Sequence, residues 1–183
     1  MTIVRNPFRR NAAPSGPAAS ATDTHLADAV RSIATASGPE EALVRLAAAA
    51  RAVIGSDGIT IVRRDGDQVA YVTEDAISPL WAGQCFPIRN CVSGQALLAR
   101  APIFIPDIAE DKRVPLNAYL ATFVRSMGVV PIGRDDPRYA LGAYWRDAQP
   151  IAPIAIERMM LLADAVATVI DSTADRSAGR QVA

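Results

Sequence analysis

The chain has 183 residues and a mass of 19.4 kDa, which suits one domain of ordinary size. Lys plus Arg total 19 and Asp plus Glu total 19, so the formal charge is zero; a polyanion binder carries a basic excess, and nucleic acid is excluded as a main partner. One histidine (His25), one lysine (Lys112) and two cysteines (Cys85, Cys91) exclude a His-His metal cluster and a disulfide framework.

Residues 1–22 carry Arg5, Arg9 and Arg10 and then an Ala/Pro/Ser/Gly run. They are expected to form a flexible tail, because small residues and prolines bury too little surface to offset ordering. Arg9-Arg10 is followed by no apolar stretch, so it does not read as an export signal. No apolar run approaches the roughly 20 residues of a membrane-spanning helix, so no membrane partner is expected. Two cysteines outside any framework suit a reducing cytoplasm.

Asp23 to Thr35 reads as a helix, with Leu26, Ala29, Val30 and Ile33 on one face. Ser37 with Glu40 forms a capping-box signal, Pro39 suits the first helical turn, and the helix is expected to end at Gly55. Gly58–Arg64 and Gln68–Thr73 read as two strands around an Asp65-Gly66 hairpin turn. A middle excursion follows: extended Cys85–Ile88, a short helix Val92–Arg100, and an edge strand bracketed by Pro102 and Pro106. Asp107–Pro115 reads as a charged loop and Ala118–Arg125 as a helix with Leu120, Phe123 and Val124 on its apolar side. Two strands, Gly128–Ile132 and Tyr139–Trp145, precede a long amphipathic helix, Ile154–Ile170. Residues 172–183 are expected to form a second flexible tail, leaving a folded domain over 23–171. Strands enclosed by helices at both ends point to an α+β domain with an antiparallel sheet. Neither GxGxxG nor GxxxxGK[ST] is present.

Several segments together resemble a GAF domain. These are Gly58-Ile59-Thr60-Ile61, the short helix after Ser93-Gly94, Pro102-Ile103-Phe104-Ile105-Pro106-Asp107-Ile108, Phe123 through Val130-Pro131-Ile132, and Gly142-Ala143-Tyr144-Trp145. The block from Ser93 to Trp145 is most similar to the GAF modules of bacterial sensor histidine kinases. The resemblance implies a GAF/PAS-like central antiparallel sheet, with the N- and C-terminal helices packed on one face and a ligand-type pocket on the other. By position, the implied ligand-binding residues are Trp81, Phe86, Asp107, Arg113, Tyr119, Phe123 and Ser126, with Tyr144 nearby. For Trp81 and Phe123 the alternative is plain core, for Asp107 a turn cap, and for Arg113 a solvated charge.

The resemblance further implies a non-enzymatic small-molecule sensor in bacterial signal transduction. Its first helix and long last helix would pack together, the stripe on Ile154–Ile170 pairing with Leu26, Val30 and Ile33, and against a second copy of the chain, and it would act alone or with a separate output protein. The ligand, and any cofactor, is unknown from sequence. A bilin-binding module is opposed by the lack of Cys or His at Val114-Pro115-Leu116-Asn117 and by Gly83 standing where a motif aspartate precedes Cys85-Phe86. A thiol redox sensor or reductase would use Cys85 and Cys91. Free methionine sulfoxide reductases resemble this stretch, yet Ser93 stands at their reactive-cysteine position and no cysteine lies near Asp111. Cys91 at a helix start is expected to have a lowered thiol pKa; the alternative is a small buried residue. Cyclic-nucleotide and zinc readings fit poorly, since only Asn117 and Asp107 match the first and Cys85-x5-Cys91 is wrongly spaced for the second. An interior filled by Trp81, Phe86, Tyr119 and Phe123 would favour a ligand-free dimerisation scaffold.

Overall fold

In the computed structural model, residues 21–133 and 135–180 are described. Six strands form one antiparallel sheet: β1 (Gly58–Asp65), β2 (Gln68–Ala76), β3 (Cys85–Pro87), β4 (Ile103–Ile105), β5 (Ser126–Ile132) and β6 (Tyr139–Trp145). Their order across the sheet is β3-β2-β1-β6-β5-β4. The helices are α1 (Ala21–Ala34), α2 (Pro39–Ile54), α3 (Val92–Ala99) and α4 (Pro153–Arg180). The fold is the expected α+β arrangement.

The sheet separates two cores. Ile59 and Ile61 of β1, Val130 and Ile132 of β5, and Leu141, Ala143 and Trp145 of β6 pack against α1, α2 and α4. Val62, Tyr71, Met127, Val129, Ala140 and Tyr144 point to the opposite side, where α3 and the irregular excursion cover them. Period-2 alternation divides one set of strands between two layers. A bulge sharpens this division, because Ile61 pairs with Thr73 while Val62 pairs with Tyr71, leaving Val72 as the extra residue.

Local signals mostly act where the residues place them. Gly55 ends α2 in the left-handed conformation, φ 76°, and its N–H donates to the Arg51 carbonyl. The Gly66-Asp67 turn joins β1 to β2, with Gly66 at φ 61° and Asp65 paired to Gln68. β4 is an edge strand as its flanking prolines suggest, and its pairing with β5 stops at Val129. Pro131 therefore sits in β5 beyond the reach of β4, where a missing N–H breaks no ladder on that side.

Three expectations need correction. The N-cap of α2 is Gly38, and the carboxylate that caps the turn belongs to Glu41 rather than Glu40. Glu41 Oε2 accepts from the Ser37 backbone N–H at 2.8 Å and from Ser37 Oγ at 2.6 Å. These bonds to Ser37, with a further one from Arg45, hold the Glu41 carboxyl down at about 2. Ala118–Arg125 is not a helix. A 3-10 turn over Leu116–Ala118 is followed by turns, because Thr122 Oγ1 donates to the Tyr119 carbonyl and accepts from the Val124 N–H. Leu120, expected on an apolar face, is exposed as a result.

The helix α4 continues to Arg180, ten residues past the expected end at Ile170. Ser172 and Thr173 do not break it, since their hydroxyls donate back to the carbonyls of Thr168 and Val169 four residues earlier. Residues 181–183 of the expected C-terminal tail lie outside the described residues. At the other end α1 begins at Ala21, inside the expected N-terminal tail, and residues 1–20 lie outside the described residues. The expected packing of α4's apolar stripe on the first helix, at Leu26, Val30 and Ile33, is present within the chain. Met159, Leu162, Ala163, Val166 and Val169 are buried in the same chain, against the sheet, α2 and α1, with Ile170 packed at their margin.

α3 stands one close contact from the strand side of its own loop. A Cβ on Gly94 would lie 1.8 Å from the Ile88 carbonyl oxygen. Backbone cannot yield to that degree without moving the helix. Gly94→Ala is expected to lower stability by about 3 kcal/mol, read as a reduced urea midpoint with an unchanged slope.

Candidate functional site

The face opposite the long helices holds the residues with ligand-facing potential. β2 delivers Tyr71, β6 delivers Tyr144, the segment after the 3-10 turn delivers Tyr119, and the loop after β2 delivers Trp81. Trp81 is the hub. Its ring centroid lies 4.9 Å from Tyr119, 5.5 Å from Tyr71 and 5.5 Å from Tyr144, each in an edge-to-face arrangement. Its indole N–H donates to the Ala118 carbonyl at 3.3 Å. Phe86 adds a further edge contact to Tyr71 at 5.6 Å.

Hydroxyls line the floor beneath these rings. Tyr144 Oη and Thr60 Oγ1 share a hydrogen bond of 2.9 Å, and Tyr71 Oη and Ser93 Oγ share one of 3.3 Å. Gly142 makes room for the first pair, since a Cβ there would stand 2.5 Å from Tyr144 Oη. Among the described residues the buried polar side chains are Thr60, Ser93 and Ser126, all uncharged. Burial pushes the Tyr144 phenol up to about 12 and raises Tyr71 and Tyr119 well above the usual phenol value.

The site residues expected from sequence divide into three groups. Trp81 and Tyr119 are buried within the cluster, and Phe86 and Phe123 are half-buried against it. Asp107 and Arg113 are elsewhere. Asp107 caps its own turn, accepting from the Ala109 N–H at 2.9 Å, and Arg113 is an exposed partner of Asp111. Ser126 is fully buried but on β5 it alternates with Met127 and Val129, which face the cluster. Its hydroxyl instead donates to the Asp147 carbonyl at 2.8 Å and anchors the end of the sheet.

The two cysteines differ in kind. Cys85 is exposed on β3, whereas Cys91 is buried at the N-cap of α3 and its Sγ accepts from the Gly94 N–H at 3.3 Å. The expected lowering of the Cys91 pKa is reversed. Burial raises it by more than the single N–H bond lowers it, so the thiol stays protonated.

Sequence reading missed Tyr71, Thr60 and Ser93 as floor residues, and Glu74 as the anchor of the Trp81 loop. Tyr71 carried a usable signal, since it alternates with Val69 on a strand. Glu74 carried none, because a carboxylate near a strand end looks like any solvated charge. Sequence reading also missed a hollow of about 290 Å³ on the helix side of β2, where Leu43, Val44, Ala47, Ile61 and Val72 are joined by Glu40, Arg63, Thr73 and Tyr139. Among the described residues no helix is long and apolar enough to cross a membrane, and no group of three His, Cys, Asp or Glu is placed to hold a metal.

No protein-family model matches the chain, and no curated protein matches it. Solved structures do. The chain is similar to the GAF domain of an Acinetobacter phosphoenolpyruvate-protein phosphotransferase, with a TM-score of 0.70 and 13% identity over 87% of this chain and 99% of that one. It is similar to the free methionine-R-sulfoxide reductase of Neisseria meningitidis in complex with its substrate, with a TM-score of 0.71 and 17% identity, covering 87% of this chain and 95% of that one. A third is the phycoerythrobilin-bound GAF domain of a cyanobacterial phytochrome, with a TM-score of 0.64 and 21% identity over 83% of this chain and 95% of that one. The chain has the GAF fold. Identities this low establish the fold and leave the chemistry to the residues themselves.

Two measurements check the site. Tyr71, Tyr119 and Tyr144 bind their protons more tightly folded than unfolded. Their contribution to stability is therefore complete below the ordinary phenol value of 10.0 and is lost as pH rises from there through the raised values of the folded state, about 12 for Tyr144. Absorbance titration of the folded chain is expected to show these three phenols ionising together with alkaline unfolding. Thiol titration with a disulfide reagent is expected to modify Cys85 at once and Cys91 only on denaturation, and Cys85→Ser should abolish the fast phase.

Proposed function

We propose that the chain is a non-enzymatic regulatory module of the GAF kind, sensing a small molecule in bacterial signal transduction within the cytoplasm. The supporting observation is the two-sided sheet. Strands β1, β5 and β6 send alternate side chains to the long-helix layer and to the Trp81 cluster. A molecule that rearranges the cluster therefore acts on the strands that seat α4, and packed layers of this kind move between discrete arrangements. The output goes to a second copy of the chain or to a separate signalling protein. Since α4's stripe is used within the chain, the surface offered to a second copy is the outward side of α4, where Ile154, Met160 and Leu161 are exposed.

One observation favours a second reading, a ligand-free dimerisation scaffold: the cluster is filled by Trp81 and Tyr119, with Phe86 and Phe123 closing its margin. The thiol-redox alternative gains nothing from Cys91, whose burial keeps it neutral. Native mass spectrometry of the full chain separates the readings. A mass of two chains plus a retained small molecule is the expected result. Two chains alone supports the scaffold, and one chain alone overturns dimerisation.

A further inference from the structure

We propose that Trp81 is the built-in occupant of this site and that residues 77–84 are its gate, latched by Glu74. A neutral, flat aromatic molecule of about indole size, bearing one N–H or O–H donor, exchanges with the Trp81 side chain. This rests on the sensing reading above and names the ligand class for it.

The latch is a carboxylate set among backbone donors. Glu74 Oε1 accepts from the Leu80 N–H at 3.0 Å, and Oε2 accepts from the Trp81 and Ala82 N–H groups at 2.8 Å each. Besides this latch, the strap is held down by the two side chains it buries and by the indole N–H bond to the Ala118 carbonyl. Ile77, Ser78, Pro79, Ala82, Gly83 and Gln84 are exposed, and Leu80 and Trp81 alone are buried. Both ends of the strap are tied to the sheet. The Ile77 N–H donates to the Asp57 carbonyl at 3.0 Å, and the Tyr71 backbone exchanges bonds with Gly83 and Gln84 at 2.8 and 2.9 Å. Gly83 turns the chain there at φ 82°. A short exposed segment with fixed ends and one carboxylate across its middle is a unit that can open without the sheet unfolding.

The space under the strap selects the ligand. Once Trp81 swings out, the walls are the rings of Tyr71, Tyr119 and Tyr144, which meet an aromatic guest edge-on as they meet the indole. The Ala118 carbonyl, which now accepts the indole N–H, accepts one donor from the guest. The floor hydroxyls of Thr60 and Ser93 are uncharged, and Glu74, the carboxylate whose charge reaches Tyr144, is taken by three backbone N–H groups, so a charged guest would be buried at a cost a neutral one avoids.

The test uses the full chain, its Glu74→Gln variant, and indole as the probe. Gln offers one acceptor oxygen and turns an NH2 group toward N–H donors, so the latch loses at least one bond. Amide hydrogen exchange is read at Leu80, Trp81 and Ala82 against the amides of β5. In the wild type the strap amides are expected to exchange at least about 100-fold faster than β5 amides. Glu74→Gln is expected to speed them about 10-fold or more without changing β5. Calorimetry is expected to show saturable indole binding, tighter in the variant. Strap amides that exchange only at the β5 rate in the wild type overturn the gate, whether or not the variant folds. A strap that opens while indole fails to bind overturns the ligand class. Neither failure bears on chain mass in native spectra, so the regulatory reading stands or falls separately.

Discussion

The structure depends on burying the central strands on both faces. All seven residues of β5 are buried, and in β6 only Tyr139 is not fully so. A strand in that position has no solvated side on which to put a poor fit. Side chains must be sized for two layers at once, and each hydroxyl must find a partner. Thr60 meets Tyr144, and Ser126 meets the Asp147 carbonyl. Gly128 lets Phe104 and the Met159 sulfur approach from the helix side, and Gly142 lets Tyr144 fold over it on the other. Replacement of either glycine forces the layer on its own side to move.

That constraint accounts for the unequal character of the two layers. The helix layer is regular, because α1, α2 and α4 each present an apolar stripe that the sheet and one another cover. The opposite layer is made of short pieces with few backbone ladders of their own. It is closed by rings and by borrowed acceptors: the Glu74 carboxylate for three N–H groups, and the Ala118 carbonyl for the indole. A layer assembled from such contacts opens at lower cost than a helix leaves its stripe.

Much of the frame was legible beforehand. The hairpin signalled by Asp65-Gly66, whose turn is Gly66-Asp67, the stop at Gly55, the edge strand between Pro102 and Pro106, and the last strand, Tyr139–Trp145, all rest on local chemistry that acts within a few residues. The failures share a cause. Ala118–Arg125 has helix-like apolar spacing, yet Thr122 bonds its own turn and diverts the backbone. Residues 172–180 look like a tail by composition, yet the helix that precedes them continues through. Ser126 has the right residue type and the right neighbourhood for a site, but strand alternation sends it to the wrong face.

The sequence alone determined the order of elements, the antiparallel α+β class and the resemblance to GAF domains, because periodicity, turn residues and caps are local. It determined too that the chain has one histidine, one lysine and two cysteines. Only the tertiary structure decided what the side chains become. It placed Trp81 among three tyrosines drawn from three distant segments, set Glu74 under the strap, buried Cys91 until its thiol stayed neutral, and spent α4's stripe inside the chain. Each of these outcomes depends on which groups meet across long sequence separation, and on how much water is left between them, neither of which residue spacing records.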